Sequence, residues 1–225
     1  MGKGQFAVLE RALSEGHLSR SSCYRMLIFW EWLYTGIALS LLVSFGEFGE
    51  GELRKIFFSF PEKGCSLIFA ALFLGGVLTL ALVKSSEVRA FFRSTTQKVR
   101  ILFPSSFREA CLFAALCCTA GICEEILYRL FVFHYFLSLG LSPVSAHLSG
   151  ALAFGFAHTY QGWPGVAEAL GLGIFFSLLF AATDSLLPCM LIHAWIDLLV
   201  LLYRDGKDPF FVSFPGICYN KRNKP

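Results

Sequence analysis

At 225 residues, 56% hydrophobic and only 16% charged, with a mean hydropathy of +0.62, the chain is far from the roughly 25% charge of a soluble domain. Its net charge of +3 is too small to argue for nucleic-acid binding, and its length suits one helical bundle rather than two folded domains. The composition is that of a polytopic membrane protein, with basic residues placed in loops beside apolar spans as topology signals.

Residues 1–25 form a basic N-terminal segment, with Lys3, Arg11, Arg20 and Arg25 against Glu10 and Glu15. Leu9, Leu13 and His17 predict a short amphipathic helix, surface-lying or frayed. The first apolar run starts only at Met26 and is long enough to span, so no cleavable signal peptide of the usual form is expected. Phe6 stands where myristoylation needs Ser or Thr, and Asn223-Lys224-Pro225 is no prenylation signal.

Residues 26–108 read as two N-terminal spans and a basic cytoplasmic loop. The first span runs from Met26 to Phe45 and contains Glu31 between Trp30 and Trp32, close enough to the basic flank to read as an interfacial carboxylate. A loop from Gly46 to Gly64 follows. Cys65 to Val83 is the clearest span, nineteen uncharged residues and about 28 Å as a helix. Lys84 to Arg108 is the most basic loop, which assigns it to the cytoplasmic side.

Residues 109–203 supply four more helices: Glu109 to Leu139, Ser145 to His158, Gly165 to Ala182 and Leu191 to Tyr203. Gly140 to Pro143, Thr159 to Pro164 and Asp184 to Pro188 turn the chain. Residues 204–225 are a polar tail with Arg204, Lys207, Lys221, Arg222 and Lys224. The expected fold class is all-α, a transmembrane bundle of about six spans. An even number of spans puts both basic termini on the cytoplasmic side, as for a multi-pass protein of a bacterial inner membrane.

Small residues mark where helices approach. Gly165, Ala169, Gly173, Ser177 and Ala181 recur every four residues, a face on which neighbours can pack closely. Ala146, Gly150, Phe154 and His158 share a second stripe, and Cys117, Gly121 and Glu125 a third. These faces are expected inside the bundle, with the intervening Phe and Leu toward lipid. The eight cysteines fall in or near apolar segments without a zinc-binding spacing, so they read as small buried hydrophobes.

The chemistry concentrates in Cys123-Glu124-Glu125-Ile126-Leu127-Tyr128-Arg129. Ionisable groups at membrane depth cost several kcal/mol, so they are expected to pair or to work. Glu125 and Arg129 are four apart and can meet as an ion pair, which leaves Glu124 turned by about 100° onto the next face and available. His193 and Asp197 are also four apart, an arrangement in which a carboxylate can hold an imidazole in one tautomer. His158, at the end of a helix, reads alone as an interfacial histidine.

Taken together, Glu124-Glu125-x-x-x-Arg129, Phe154-x-x-x-His158 and His193-x-x-x-Asp197 resemble the CPBP family, the intramembrane proteases that include the CAAX-processing prenyl endopeptidases (type II) and bacterial bacteriocin-processing and abortive-infection proteins. The resemblance covers residues 107 to 203, with all three motifs in order. It implies hydrolysis of a peptide bond in a membrane-associated or lipidated, CAAX-like peptide or protein. Carried over, Glu124 would be the base that activates water, His158 would hold that water, His193 with Asp197 would stabilise the oxyanion, and Glu125 and Arg129 would brace the helix.

One departure concerns Asp197, where the prenyl endopeptidase branch carries Asn. An ionised Asp donates no hydrogen bond, so Asp197 is protonated, or orients His193, or a metal is present. A metal-free glutamate mechanism is favoured and no cofactor is expected, because no HExxH helix or third histidine is supplied; His147 lies about three turns from His158. A metalloendopeptidase with zinc on Glu124, His158 and His193 is the alternative. The partners implied are a peptide or protein substrate at the membrane and the lipid bilayer. Competing functions are a non-catalytic immunity or chaperone-like scaffold of the same fold, and a proton- or metal-coupled transporter, against which stands the absence of a paired repeat.

Overall fold

A computed structural model describes residues 3–44 and 97–202, with a few isolated positions between 56 and 87. The predicted 46–64 loop, the Cys65–Val83 span, most of the Lys84–Arg108 loop and the 204–225 tail lie outside the described residues.

The described chain is helical throughout. Helix α1 (Lys3–Ser14) precedes α2 (Arg20–Ser44). A 3-10 turn (Gln97–Leu102) leads into α3 (Phe107–Glu125), which continues through a π-helical segment (Ile126–Val132) into α4 (Phe133–Ser138). Then come α5 (Pro143–Ala157), a 3-10 turn (Thr159–Gln161), α6 (Gly162–Thr183) and α7 (Leu186–Leu202). Among the described residues Arg20–Ser44, Phe107–Ser138 and Thr159–Thr183 are long and apolar enough to cross a membrane. The molecule is a helical membrane bundle.

Local chemistry sets the helix ends. The Ser106 side chain accepts the Glu109 amide at 3.3 Å while the Glu109 carboxylate accepts the Ser105 amide at 2.7 Å, a reciprocal cap that starts α3 two residues earlier than predicted. Ser142 caps α5 through the Ser145 amide at 3.2 Å, with Pro143 in the first turn, where its missing N–H costs nothing. Helix α7 also starts before the predicted Leu191, because Pro188 falls within its first turn and is tolerated there. The rod Phe107–Ser138 has 32 residues, more than the roughly 20 that cross the hydrocarbon, so it tilts or begins below the membrane.

Helix α3 packs against α2 and α7, and α5 packs against α6. Leu42, Ile126, Leu130, Phe176, Phe180 and Leu186 form the core where α2, the π segment, α6 and α7 meet. Two glycines permit the closest approaches. A Cβ on Gly121 would lie 2.8 Å from the Ala194 backbone nitrogen of α7, and one on Gly150 would lie 2.8 Å from the Tyr128 carbonyl.

Four expectations need correction. On α6, Gly165, Ala169, Gly173 and Ser177 are buried but Ala181 is exposed, because a spacing of four drifts about 40° per step, or about 160° over four steps. Phe176 and Phe180 fill the inner face instead of facing lipid, at 0% and 7% exposure. Cys23, Cys117, Cys123 and Cys189 are buried as expected, whereas Cys111 and Cys118 lie on the outer face of α3. Helix α1 also does more than lie on a surface: Phe6 and Leu9 are buried, and it packs on the Thr159–Gln161 and Gln97–Leu102 turns.

Candidate active site

Glu124 and Glu125 end α3, immediately before the π segment. Adjacent residues on a helix diverge by about 100°, and here that angle separates a sealed carboxylate from an open one. The Glu125 side chain is 0% exposed. Its Oε1 accepts from Arg129 Nη1 at 3.1 Å, with Arg129 buried too. Arg129 Nη2 donates onward to the Gly173 carbonyl of α6 at 3.1 Å, and its guanidinium lies over the rings of Phe154 and Phe176. Glu124 keeps 18% of its side chain exposed.

His193 comes to this pair from α7. Its Nδ1 donates to Glu125 Oε1 at 2.7 Å, which directs Nε2 toward Glu124 Oε2 at 3.7 Å and Asp197 Oδ2 at 3.9 Å. Phe176 stacks on the imidazole at 5.1 Å and 19°, and Phe154 meets it edge-on. The tautomer-setting carboxylate is therefore Glu125 and not Asp197. Asp197 shares the Nε2 side with Glu124, beyond hydrogen-bond length. Its spacing of four made the local pairing readable; the contact across helices was not.

His158 caps the C-terminus of α5. Its Nδ1 donates to the Phe154 carbonyl at 2.8 Å, so in the neutral ring Nε2 carries the lone pair. Its ring lies 4.8 Å from that of Phe154, which in turn touches His193. Phe154 thus stands between the two imidazoles.

Glu31 was misplaced by sequence reasoning. The inward stripe of α2 runs Tyr24, Ile28, Glu31, Thr35, Ala38 and Leu42, each buried or half-buried. Glu31 sits on the face that packs on α3, where Glu124, His193 and Asp197 all act on it electrostatically. Thr35, one turn on, lies against Cys123. The basic flank suggested an interfacial position; the missed signal was that Glu31 falls in step with Tyr24, Thr35 and Ala38.

The donor types of Glu124, His158 and His193 suit zinc, but their placement does not. Among the described residues no group of three His, Cys, Asp or Glu side chains converges to hold a metal ion. His193 keeps Nε2 open while Glu125 holds Nδ1, but the Phe154 ring stands between it and His158.

The fold and site together define an all-helical membrane protein with a buried carboxylate and imidazole cluster at the junction of α3 and α7. Residues 106–199 match the family model described as Type II CAAX prenyl endopeptidase Rce1-like. The match spans 94 of the 225 residues and is consistent with a CPBP-type intramembrane protease. No curated protein and no solved structure matches the chain.

Proposed function

We propose that this protein is an intramembrane endopeptidase in which Glu124 activates the attacking water, with a lipidated, CAAX-like peptide or membrane-associated protein as substrate. The observation that carries the reading is the 3.7 Å separation of Glu124 Oε2 and His193 Nε2, with the far side of the imidazole tied to buried Glu125. A base and an electrophilic donor thus face the same small space, and the donor cannot rotate away.

In the proposed reaction Glu124 takes a proton from water as the oxygen attacks the scissile carbonyl carbon. His158 accepts a hydrogen bond from that water at Nε2. Charge develops on the carbonyl oxygen, and His193, acting as an imidazolium whose Nδ1–H is held by Glu125, donates its Nε2–H to it; removing one such donor typically costs ~10²–10³ in rate. The C–N bond then breaks, and the proton held by Glu124 passes to the leaving amine. Asp197, near His193 Nε2, acts on the charge of the imidazole without orienting it. The membrane orientation we infer has both basic termini on the cytoplasmic side of a multi-pass protein, as in a bacterial inner membrane.

The test is cleavage of a prenylated CAAX-type peptide and its unprenylated counterpart by the purified protein in detergent, with Glu124→Gln alongside. Loss of turnover in the variant supports the reading, and equal turnover overturns it. Absence of turnover with tight peptide binding would favour a scaffold of the same fold.

A further inference from the structure

The imidazole of His158 sits in a row of rings that leads out of the 106–199 domain. On one side is Phe154, with centroids 4.8 Å apart. On the other is Tyr160, stacked at 5.9 Å and 30°. The next ring beyond Tyr160 is Phe6 of α1, at 5.3 Å and 33°. Phe6 is 5% exposed and Leu9, on the same face, 7%, so the face of α1 that covers this turn is a packed one.

Tyr160 belongs to a three-residue 3-10 turn, the kind of short element that holds its shape only when packed against something. Within the turn the Gln161 amide bonds the His158 carbonyl at 2.9 Å, and the Gln161 side chain donates to the Tyr160 hydroxyl at 3.0 Å. Neither bond reaches α1; the turn packs on α1 as well as on α5 and α6, and Phe6 is the ring of α1 that meets Tyr160. Helix α1 also packs on the Gln97–Leu102 turn. That turn is anchored to α2 through Arg20 Nε to the Ile101 carbonyl, 2.9 Å, and the Tyr24 hydroxyl to the Leu102 carbonyl, 2.5 Å.

We propose that Phe6 and Tyr160 are positioning residues for His158: docking of the N-terminal helix presses Tyr160 against the imidazole and fixes the direction in which Nε2 points. The hydrogen bond from Nδ1 to the Phe154 carbonyl holds one ring atom, and the stacked Tyr160 limits rotation about that bond. The inference rests on the endopeptidase reading for its catalytic consequence, because a small misplacement of a catalytic group is enough to cost a large factor in rate. It extends the working unit of the enzyme to a segment well before residue 106.

The experiment uses the full chain in detergent, labelled with 13C at histidine Cε1. The chain has five histidines, and the His158 signal is assigned by its loss in His158→Gln. Phe6→Ala and Tyr160→Ala should each move that signal, leave those of His134 and His147 in place, and lower kcat about ten-fold with little change in KM. Tyr160→Phe keeps the ring and should match wild type in both readouts. Phe6→Leu keeps apolar burial without the ring and substitutes for Phe6→Ala if the latter does not fold. A His158 signal unmoved by loss of the Phe6 ring, or an unchanged kcat, overturns the proposal. If the wild type cleaves no peptide, the endopeptidase reading falls separately and the resonance alone decides whether α1 positions the ring.

Discussion

Glu125 Oε1 accepts from His193 Nδ1 at 2.7 Å, across 68 positions of sequence, and the same oxygen accepts from Arg129 at 3.1 Å. One buried atom therefore ties α3 to α7, and through Arg129 to the Gly173 carbonyl of α6. The relation of Glu124 to His193 is inherited from this sealed cluster, which makes stability and chemistry separable by mutation.

Glu125→Leu leaves Arg129 buried and uncompensated, a change that costs about 3–5 kcal/mol. Glu125→Leu with Arg129→Met removes both charges and should recover most of the lost melting temperature. Turnover should stay about 10² below wild type, because His193 Nδ1 has lost its acceptor. Thermal melts in detergent beside peptide cleavage test this. A double variant that regains both would mean that Glu125 serves stability alone.

Glu124 has no such structural duty. Glu124→Gln should shift stability by no more than about 0.5 kcal/mol while lowering kcat by ~10²–10⁴, the range for loss of a general base. Asp197→Asn is expected to change kcat less than about ten-fold, because Asp197 Oδ2 lies 3.9 Å from Nε2 and does not hold the ring. A collapse of activity in Asp197→Asn at normal stability would return the orienting role to Asp197.

The features legible in the sequence were those that depend on a single helix. Periodicity near 100° per residue put Glu125 and Arg129 on one face and Glu124 on the next, and the Gly140 and Pro143 break separated α4 from α5. What escaped was set between helices. His193 and Asp197 look like a pair because they are four apart, yet Glu125 outcompetes Asp197 from another helix. Phe6 was overlooked because the amphipathic stripe was read from Leu9 and Leu13. No residue type marks the π segment Ile126–Val132, though such insertions often accompany functional sites. The Cys65–Val83 span lies outside the described residues.

Gly121→Ala should lower stability and activity together, unlike the charge double variant. The added Cβ would lie 2.8 Å from the Ala194 backbone nitrogen and 2.9 Å from the Met190 carbonyl, atoms that cannot turn aside as a flexible side chain would. Overpacking of this kind costs about 1–3 kcal/mol, and the relief available is to move α7, which carries His193 away from Glu124. Gly171→Ala meets nothing within 4 Å, and should be neutral or slightly stabilising through helix propensity. Equal activity in the two variants would show that the α3 to α7 spacing does not control the chemistry.

Glu31 offers a test of whether the site extends to α2. It lies on the inward stripe, and Glu124, His193 and Asp197 act on it electrostatically. In a bundle interior a unit charge several ångströms away acts at the level of a few kcal/mol. Glu31→Lys places a cation where it can pair with Glu124 and compete with water for the base. Its kcat should fall by at least about ten-fold, and added salt should not restore it, because buried pairs are poorly screened. Glu31→Gln removes charge without offering a competing partner and should retain most of the activity. Melting temperatures of both variants separate this effect from unfolding. If a stably folded Glu31→Lys protein cleaves peptide as fast as wild type, the field of α2 does not reach Glu124 and the working carboxylates are confined to α3 and α7.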